Sequence, residues 1–570
     1  MKHLRLFPDT TVRNSVLAKI DYKILSKTEG EPGIGIQQGT WINPKTLPFY
    51  IDVRGAVALV ATSGLQMSTD CETWTDTTAM TLPTGKTYFR VATDQESPLK
   101  PNWTEDNNSD YDIGGNINSL VKTNFENDTN CYVFYIPVNG FFQGKTKLKS
   151  AGDLVLPATT LAEGCYDSMF KGCTALTTAP ALPATTLADY CYEAMFENCS
   201  SLTTTPKLPA TTLAEGCYYD MFHSCTSLVK TPVLPATTLA AYCYESMFNG
   251  CTSLVTAPKL PATTLTEECY GSMFLGCRSL TVTPALPATT LAQNCYYSMF
   301  YSCTSLTTAP RILPATTLAD SCYYNMFAFC ESLIAAPALP ATTLAQRCYQ
   351  FMFSNCKALT TAPVLPATTL AESCYSSMFN GCISLTTAPA LPATTLVASC
   401  YGSMFNSCRS LTTAPELPAT ILAASCYASM FMDCTSLTTA PALPATTLAD
   451  SCYVFMFQSC TSLTTAPELP ATILATKCYQ GMFNGCTSLT TAPELPATTL
   501  VTNCYRNMFT GCTNLNHIKC LATDISASRC TYNWTSGVAA NGTFVKDPNM
   551  SGWTTGNNGI PSGWIVEDAA

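Results

Sequence analysis

Apolar and polar positions follow one template along most of the chain, typified by "CYESMFNGCTSLVTAPKLPATTL" from Cys243 to Leu265. The half represented by "TTLAEGCYDSMF" (159–170) places Leu161, Cys165 and Met169 at i, i+4 and i+8. That spacing predicts a short helix with one apolar face, and Thr160 and Glu163 stand at capping-box distance. The "SLTTAPKLP"-type segments carry β-branched residues ended by prolines, which predicts a short strand. One helix and one strand cannot bury their own apolar faces, so such units must stack on one another.

The template recurs with a fixed period. "LPATTL" or "LPATIL" begins at Leu156, Leu182, Leu208, Leu234, Leu260 and Leu286, then at Leu313, Leu339, Leu365, Leu391, Leu417, Leu443, Leu469 and Leu495. These are fourteen units of 26 residues, one of them lengthened to 27 by the extra residue in "APRILPATTL" (309–318). The insertion falls in a Pro-flanked connector, where a bulge should leave the stack intact. The expected fold is therefore a repeat solenoid over 156–519, with one short strand and one short helix per unit. At the spacing of paired strands, fourteen units would extend roughly 70 Å.

The flanks read differently. "FFQGKTKLKSAGDLVLPA" (141–158) aligns with "MFKGCTALTTAPALPA" but has lost the cysteine and gained lysines, as a capping turn should. Residues 114–155 are thus expected to cap the array at its start and 520–570 at its end, with Trp553 and Trp564 covering the last apolar face. Short alternating runs such as "PFYIDVRG" and "KTYFRVAT" predict a small N-terminal β-sandwich over 47–113. Residues 1–46 hold one amphipathic pattern (Val12, Val16, Ile20) and the loop "EGEPGIGIQQG", too little for a domain, and are expected to anchor the chain to something larger.

Charge and hydropathy remove whole classes of function. Only 12% of residues are charged and the net charge is −10, so a phosphate-binding surface, and with it a nucleic-acid partner, is not expected. No segment approaches the ~18 apolar residues that cross a bilayer, so membrane insertion is not expected either. The opening "MKHLRLFPDTTVRN" has charges and a proline where a secretory h-region should lie, which suits a cytosolic protein or one that leaves the cell by lysis.

The 32 cysteines are the conspicuous chemistry. Each unit has the spacing C-x7-C, as in Cys165 and Cys173, Cys243 and Cys251, or Cys504 and Cys512. Zinc would need four converging ligands, and the chain has only His3, His223 and His517 to add, so no metal is expected. A disulfide within each unit is conceivable, but a chain made without export meets a reducing cytosol. Both positions fit the apolar face, so the expectation is two ladders of structural thiols packed as small hydrophobes. The acidic loop 94–112 lacks the order of a calcium loop, and the Thr-Thr pairs are expected to dress strands and turns. HExxH, GxSxG, P-loop and GxGxxG motifs are all missing, so no catalytic residue and no cofactor is expected.

"MFNGCTSLTTAPALPATTLA" resembles the BspA-like class of leucine-rich repeats, over about 156–520, although the unit is longer than usual and carries a second cysteine. The resemblance implies that the cysteine of "GCTSL" sits where such repeats use Asn or Cys to tie the turn. Chains joining "GGNINSL", these repeats and a "GIPSGW" ending resemble leucine-rich repeat proteins of gut bacteria and their bacteriophages. That implies a non-catalytic, receptor-binding protein: a virion fibre or decoration protein held to other virion proteins through residues 1–46, or alternatively a bacterial surface adhesin, with an enzyme as a remote third reading. A homo-oligomer is left open, with no heptad to support a coiled-coil stem.

Variation among the units marks where a partner would bind. The residues that change are the two after "CY" and the two after "MF", and these are expected to face solvent. Aromatic residues occupy them at Tyr219, Tyr297, Tyr301, Tyr324, Phe329, Phe351 and Phe455. Five of the seven fall in the units starting at Leu286, Leu313 and Leu339, so a row of rings is expected there, suited to a host-cell surface glycan or protein.

Overall fold

The computed structural model describes residues 22–24, 36–38, 44–136 and 139–570. The amphipathic pattern at Val12, Val16 and Ile20 lies outside the described residues. The chain divides into two compact units, one of residues 1–130 and 150–157, the other of residues 131–149 and 158–570.

The first unit contains a six-stranded sheet ordered Leu148–Val155, Tyr111–Asn116, Phe49–Val53, Gly85–Val91, Leu65–Ser68, Thr75–Asp76. A second sheet orders Met80–Thr81, Val57–Val60 and Asn102–Glu105. Period-two patterning drives both, as in Val57–Val60, where buried and exposed residues alternate. Trp103 of the smaller sheet donates its indole N–H to the Tyr111 hydroxyl at 2.9 Å in the buried core, which ties the two sheets together. Tyr22–Ile24 and Ile36–Gln38 pair antiparallel.

In the second unit every repeat buries the same residues. Taking one repeat, Leu182, Ala184, Cys191, Tyr192, Met195, Phe196, Cys199 and Leu202 are all at most 3% exposed. Tyrosines stack on tyrosines and phenylalanines on phenylalanines from unit to unit; Phe170 and Phe196 are 5.5 Å apart and 4° from parallel. The ladders start on Phe134 and Phe142, which stack on Tyr166 and Phe170. They end where Trp534 stacks on Tyr505 and Trp553 stacks on Trp534. The 27-residue unit does not interrupt them, since Phe300 and Phe327 remain stacked at 5.5 Å.

The expected helix is not there. Residues 159–170 and their counterparts form a chain of tight turns, and the hydrogen bonds explain why. Alternate N–H groups close four-residue turns: Cys165 to Ala162, Asp167 to Gly164, Met169 to Tyr166. The intervening N–H groups reach the next repeat: Gly164 to Asp189, Tyr166 to Cys191, Ser168 to Glu193, Phe170 to Met195. Every fourth residue takes a left-handed backbone, as at Gly164, Ser168 and Gly172. The i, i+4 recurrence of Cys165, Met169 and Cys173 is thus a four-residue turn period. Each unit satisfies its backbone partly through its neighbour, which a self-contained helix would not do.

The strands are also shorter than a full ladder. One residue per unit bridges in parallel along Thr256, Val282, Thr308, Ala335, Thr361 and Thr387, and a second column runs through Thr317, Thr343 and Thr369. The prolines of "TAP" and "LPA" remove the donors a longer strand would need.

Candidate functional site

Three columns of left-handed residues per unit organise the displayed edge of the turns. They precede the "CY" pair, occupy the second position after it, and occupy the second position after "MF", as at Tyr242, Ser246 and Gly250. Gly, Asn, Asp and Ser dominate these columns because a side chain with a short polar group, or none, tolerates the conformation. The second residue after "CY" is therefore less free than its variability suggests: Ser246, Ser272 and Ser298 are buried. The residues between, such as Glu245 and Asn249, are half-buried and point their variation outward.

The aromatic side chains fall into distinct places. Tyr297 and Tyr324 stack at 5.5 Å and 15°, and Phe351 continues the run edge-on to Tyr324 at 5.8 Å. Beside them Tyr301 and Phe329 meet at 5.2 Å. Tyr297 and Phe329 are the more exposed members, at 39% and 36%; Tyr301, Tyr324 and Phe351 are half-buried. Phe329 and Phe351 have positive φ values of 61° and 57°, a conformation costly for bulky side chains, so the array holds these rings out at some expense of backbone energy. Phe455, also left-handed, lies over Gly481, where any Cβ would overlap the ring. Tyr219 sits apart, lining a cleft with Tyr190, Glu193, Tyr242, Glu245 and Glu268. Tyr190 and Tyr242 were not among the expected residues. They occupy the column before "CY", whose variation from unit to unit was the available signal.

The thiols lie in two separate columns. Cys217 interacts with Cys191 and Cys243, and Cys277 with Cys251 and Cys303, so each cysteine faces its equivalents in adjacent units. All 32 are free. The second cysteine of each unit donates its S–H to a phenylalanine carbonyl of the preceding unit, as Cys173 to Phe142 at 3.2 Å, Cys251 to Phe222 at 3.2 Å and Cys512 to Phe483 at 3.0 Å. Burial pushes the Cys251 and Cys512 thiols up to about 12 and raises Cys243 and Cys504 further. Cys165 is raised first by its contact with Cys131 and then by burial.

These thiols are consequently poor nucleophiles at neutral pH. A thiol-reactive dye under native, non-reducing conditions should label only the half-buried Cys71 and Cys131. Denaturant without reductant should release all 32. A denatured count near four would mean that the units carry disulfides.

Other polar groups are taken up structurally. His223 lies 3.5 Å from Asp220, and His517 begins the strand His517–Cys520. In the acidic loop, Asp94 accepts hydrogen bonds from the Thr123 N–H and hydroxyl. No group of three or more His, Cys, Asp or Glu suited to a metal ion occurs among the described residues, and no helix of the described residues is long and apolar enough to cross a membrane.

Comparisons with known proteins place this architecture. No curated protein matches the chain. Among solved structures, a leucine-rich repeat protein from Bacteroides ovatus is 15% identical, covering 73% of this chain and 88% of its own, with a TM-score of 0.35. A leucine-rich repeat protein of T. pallidum is 18% identical over 39% of this chain and 83% of its own, with a TM-score of 0.20. TLR13, solved as a complex with ssRNA13, is 13% identical over 65% and 46%, with a TM-score of 0.23. The family model described as a BspA type leucine rich repeat region (6 copies) matches residues 139–281, 218–336, 346–465 and 429–533. These matches span more than half of the chain, with the stacked Cys, Tyr, Met, Phe and Leu columns inside them, and the chain belongs to the BspA type leucine-rich repeat family.

Proposed function

We propose that this protein is a non-catalytic adhesion or receptor-binding protein, attached to a bacteriophage virion as a fibre or decoration protein, whose repeat array recognises a glycan or protein of the host surface. The observation that carries this reading is the run Tyr297, Tyr324 and Phe351 with the adjoining pair Tyr301 and Phe329. Buried columns fix the backbone on which these rings stand, so they are presented without the entropy cost of a mobile loop. Neighbouring rings of this kind offer an apolar face for a sugar ring or for a partner's side chains. The phage assignment rests on the resemblance carried by "GGNINSL" and "GIPSGW", with residues 1–46 as the attachment segment.

The test is a triple substitution, Tyr297→Ser, Tyr324→Ser and Phe351→Ser. Binding to host cells should fall at least tenfold, by about 1.4 kcal/mol or more, while the ladders of buried rings keep the fold. Unchanged cell binding by the folded variant would refute the reading. Co-purification with assembled virions, rather than with the envelope of a producing bacterium, would support the virion assignment over a cell-surface one.

A further inference from the structure

A second place on the array is chemically unlike the aromatic run. Tyr190, Glu193, Tyr219, Tyr242, Glu245 and Glu268 line an open cleft of about 410 Å³. Its construction follows from two columns. The column before "CY" runs Tyr190, Gly216, Tyr242, Glu268, and the column after it runs Glu193, Tyr219, Glu245, Gly271. Gly216 leaves a gap between two tyrosines, and the Tyr190 ring lies across it, so that any Cβ on Gly216 would overlap the ring. The Tyr190 hydroxyl is fixed by donating to Glu215 at 2.8 Å. Gly271 leaves a corresponding gap beside Glu245, whose Cγ approaches to 3.6 Å from where a Cβ would stand.

The cleft gathers three carboxyl groups, and negative charge builds up on it as pH rises through the raised values of Glu193 and Glu245. Among the described residues none of Glu193, Glu245 and Glu268 forms an ion pair. Lys171, in the preceding repeat, pairs instead with Glu197 at 2.6 Å. Burial and the neighbouring Asp167 and Asp220 push the Glu193 carboxyl up to about 7, with Lys171 opposing and Glu197 adding to the rise. Burial, Glu268 and Asp220 push Glu245 up to about 8. Asn294 donates to Glu268 at 2.9 Å and holds that carboxylate in place.

We infer that this cleft binds an organic cation, an alkylammonium or guanidinium group, held between the rings of Tyr190, Tyr219 and Tyr242 and the carboxylates of Glu193, Glu245 and Glu268. Aromatic rings attract a cation through their quadrupole and also cover an alkyl stem, while carboxylates supply charge-assisted hydrogen bonds. A bare metal ion would make no use of the rings. The cation can come from a free amine or from a Lys or Arg side chain of a partner protein, and both present the same group. Because binding requires ionised carboxylates, affinity rises with pH across the range in which Glu193 and Glu245 lose their protons. Without a cation, their raised values make the fold less stable as pH climbs from the ordinary glutamate range to about 8.

Calorimetry on the full chain with cadaverine, with an acetylated Gly-Lys-Gly amide and with neutral pentanediol tests this. At least one of the two cations should bind saturably, with a Kd on the order of 1 mM or tighter, and should bind more tightly at about pH 9 than at about pH 6. The double variant Glu193→Gln and Glu245→Gln should weaken that binding at least tenfold, about 1.4 kcal/mol. It should unfold at the same or higher temperature at alkaline pH, which separates lost binding from lost fold. Binding by cadaverine alone assigns the site to free amines, and binding by the peptide alone to a protein partner. Equal binding of pentanediol, undiminished binding by the Gln variant, or no saturable binding of either cation would overturn the proposal.

Discussion

Replacing Phe353 with Ala is expected to remove about 3–5 kcal/mol of unfolding free energy and to split a single cooperative transition into two. Phe353 is fully buried and stacks between Phe327 and Phe379, each at 5.7 Å and within 8° of parallel. Its carbonyl accepts the Cys382 thiol at 3.1 Å, and its N–H donates to Met378 at 2.9 Å. Loss of the ring leaves a cavity facing both neighbours, and two stacked faces lose their partner together. In a repeat array stability is a sum of unit and interface contributions, so a weak interface in mid-array lets the flanking segments unfold separately. Denaturant titration followed by circular dichroism should resolve a second transition, and limited proteolysis should cut near residue 353. The exposed Tyr297→Ala serves as the control, expected to shift stability by no more than about 0.5 kcal/mol. A Phe353→Ala transition with unchanged midpoint would mean that the phenylalanine ladder contributes little.

Gly276→Ala is expected to destabilise the protein by about 1–2 kcal/mol, the opposite of its effect in a helix. In a helix interior the same change would stabilise by roughly 1 kcal/mol. Gly276 has φ of 68°, and its N–H donates to the Tyr301 carbonyl of the next unit at 2.8 Å. A Cβ there would approach nothing nearer than Gly250, at 3.9 Å, so the cost is conformational and not steric crowding. Gly276→Asn should be close to neutral, since Asn198 and Asn355 hold the equivalent position. Gly276→Val should cost more than Ala, because a β-branched side chain tolerates the left-handed region least. Thermal unfolding of the three variants checks both the sign and the order. A stabilising Gly276→Ala would contradict the turn ladder directly.

The difference between helix and turn ladder shows where sequence reasoning meets its limit. Leu161, Cys165 and Met169 satisfy a 3.6-residue period about as well as a period of four, because only two turns are available to separate them. The left-handed columns were nevertheless written in the chain, as Gly, Ser, Asn and Asp recurring before "CY" and at the second places after "CY" and "MF". Read as surface variation, that pattern pointed to freely exposed residues; read as a backbone requirement, it points to turns. The aromatic run was legible because Tyr297, Tyr324 and Phe351 fall in successive units. The cleft was not, because its six residues come from four units and two columns, with Gly216 and Gly271 contributing by lacking a side chain.

The amino-acid sequence alone determined the period, the number of units, and the identity of the buried columns of Leu, Cys, Tyr, Met and Phe. It could do so because a 26-residue repeat has one register in which like residues meet like. Tertiary structure alone decided the backbone path within each unit. Half of the N–H groups in the turns have their acceptors in the next repeat, so a single unit, read alone, has no partner with which to choose between turn and helix.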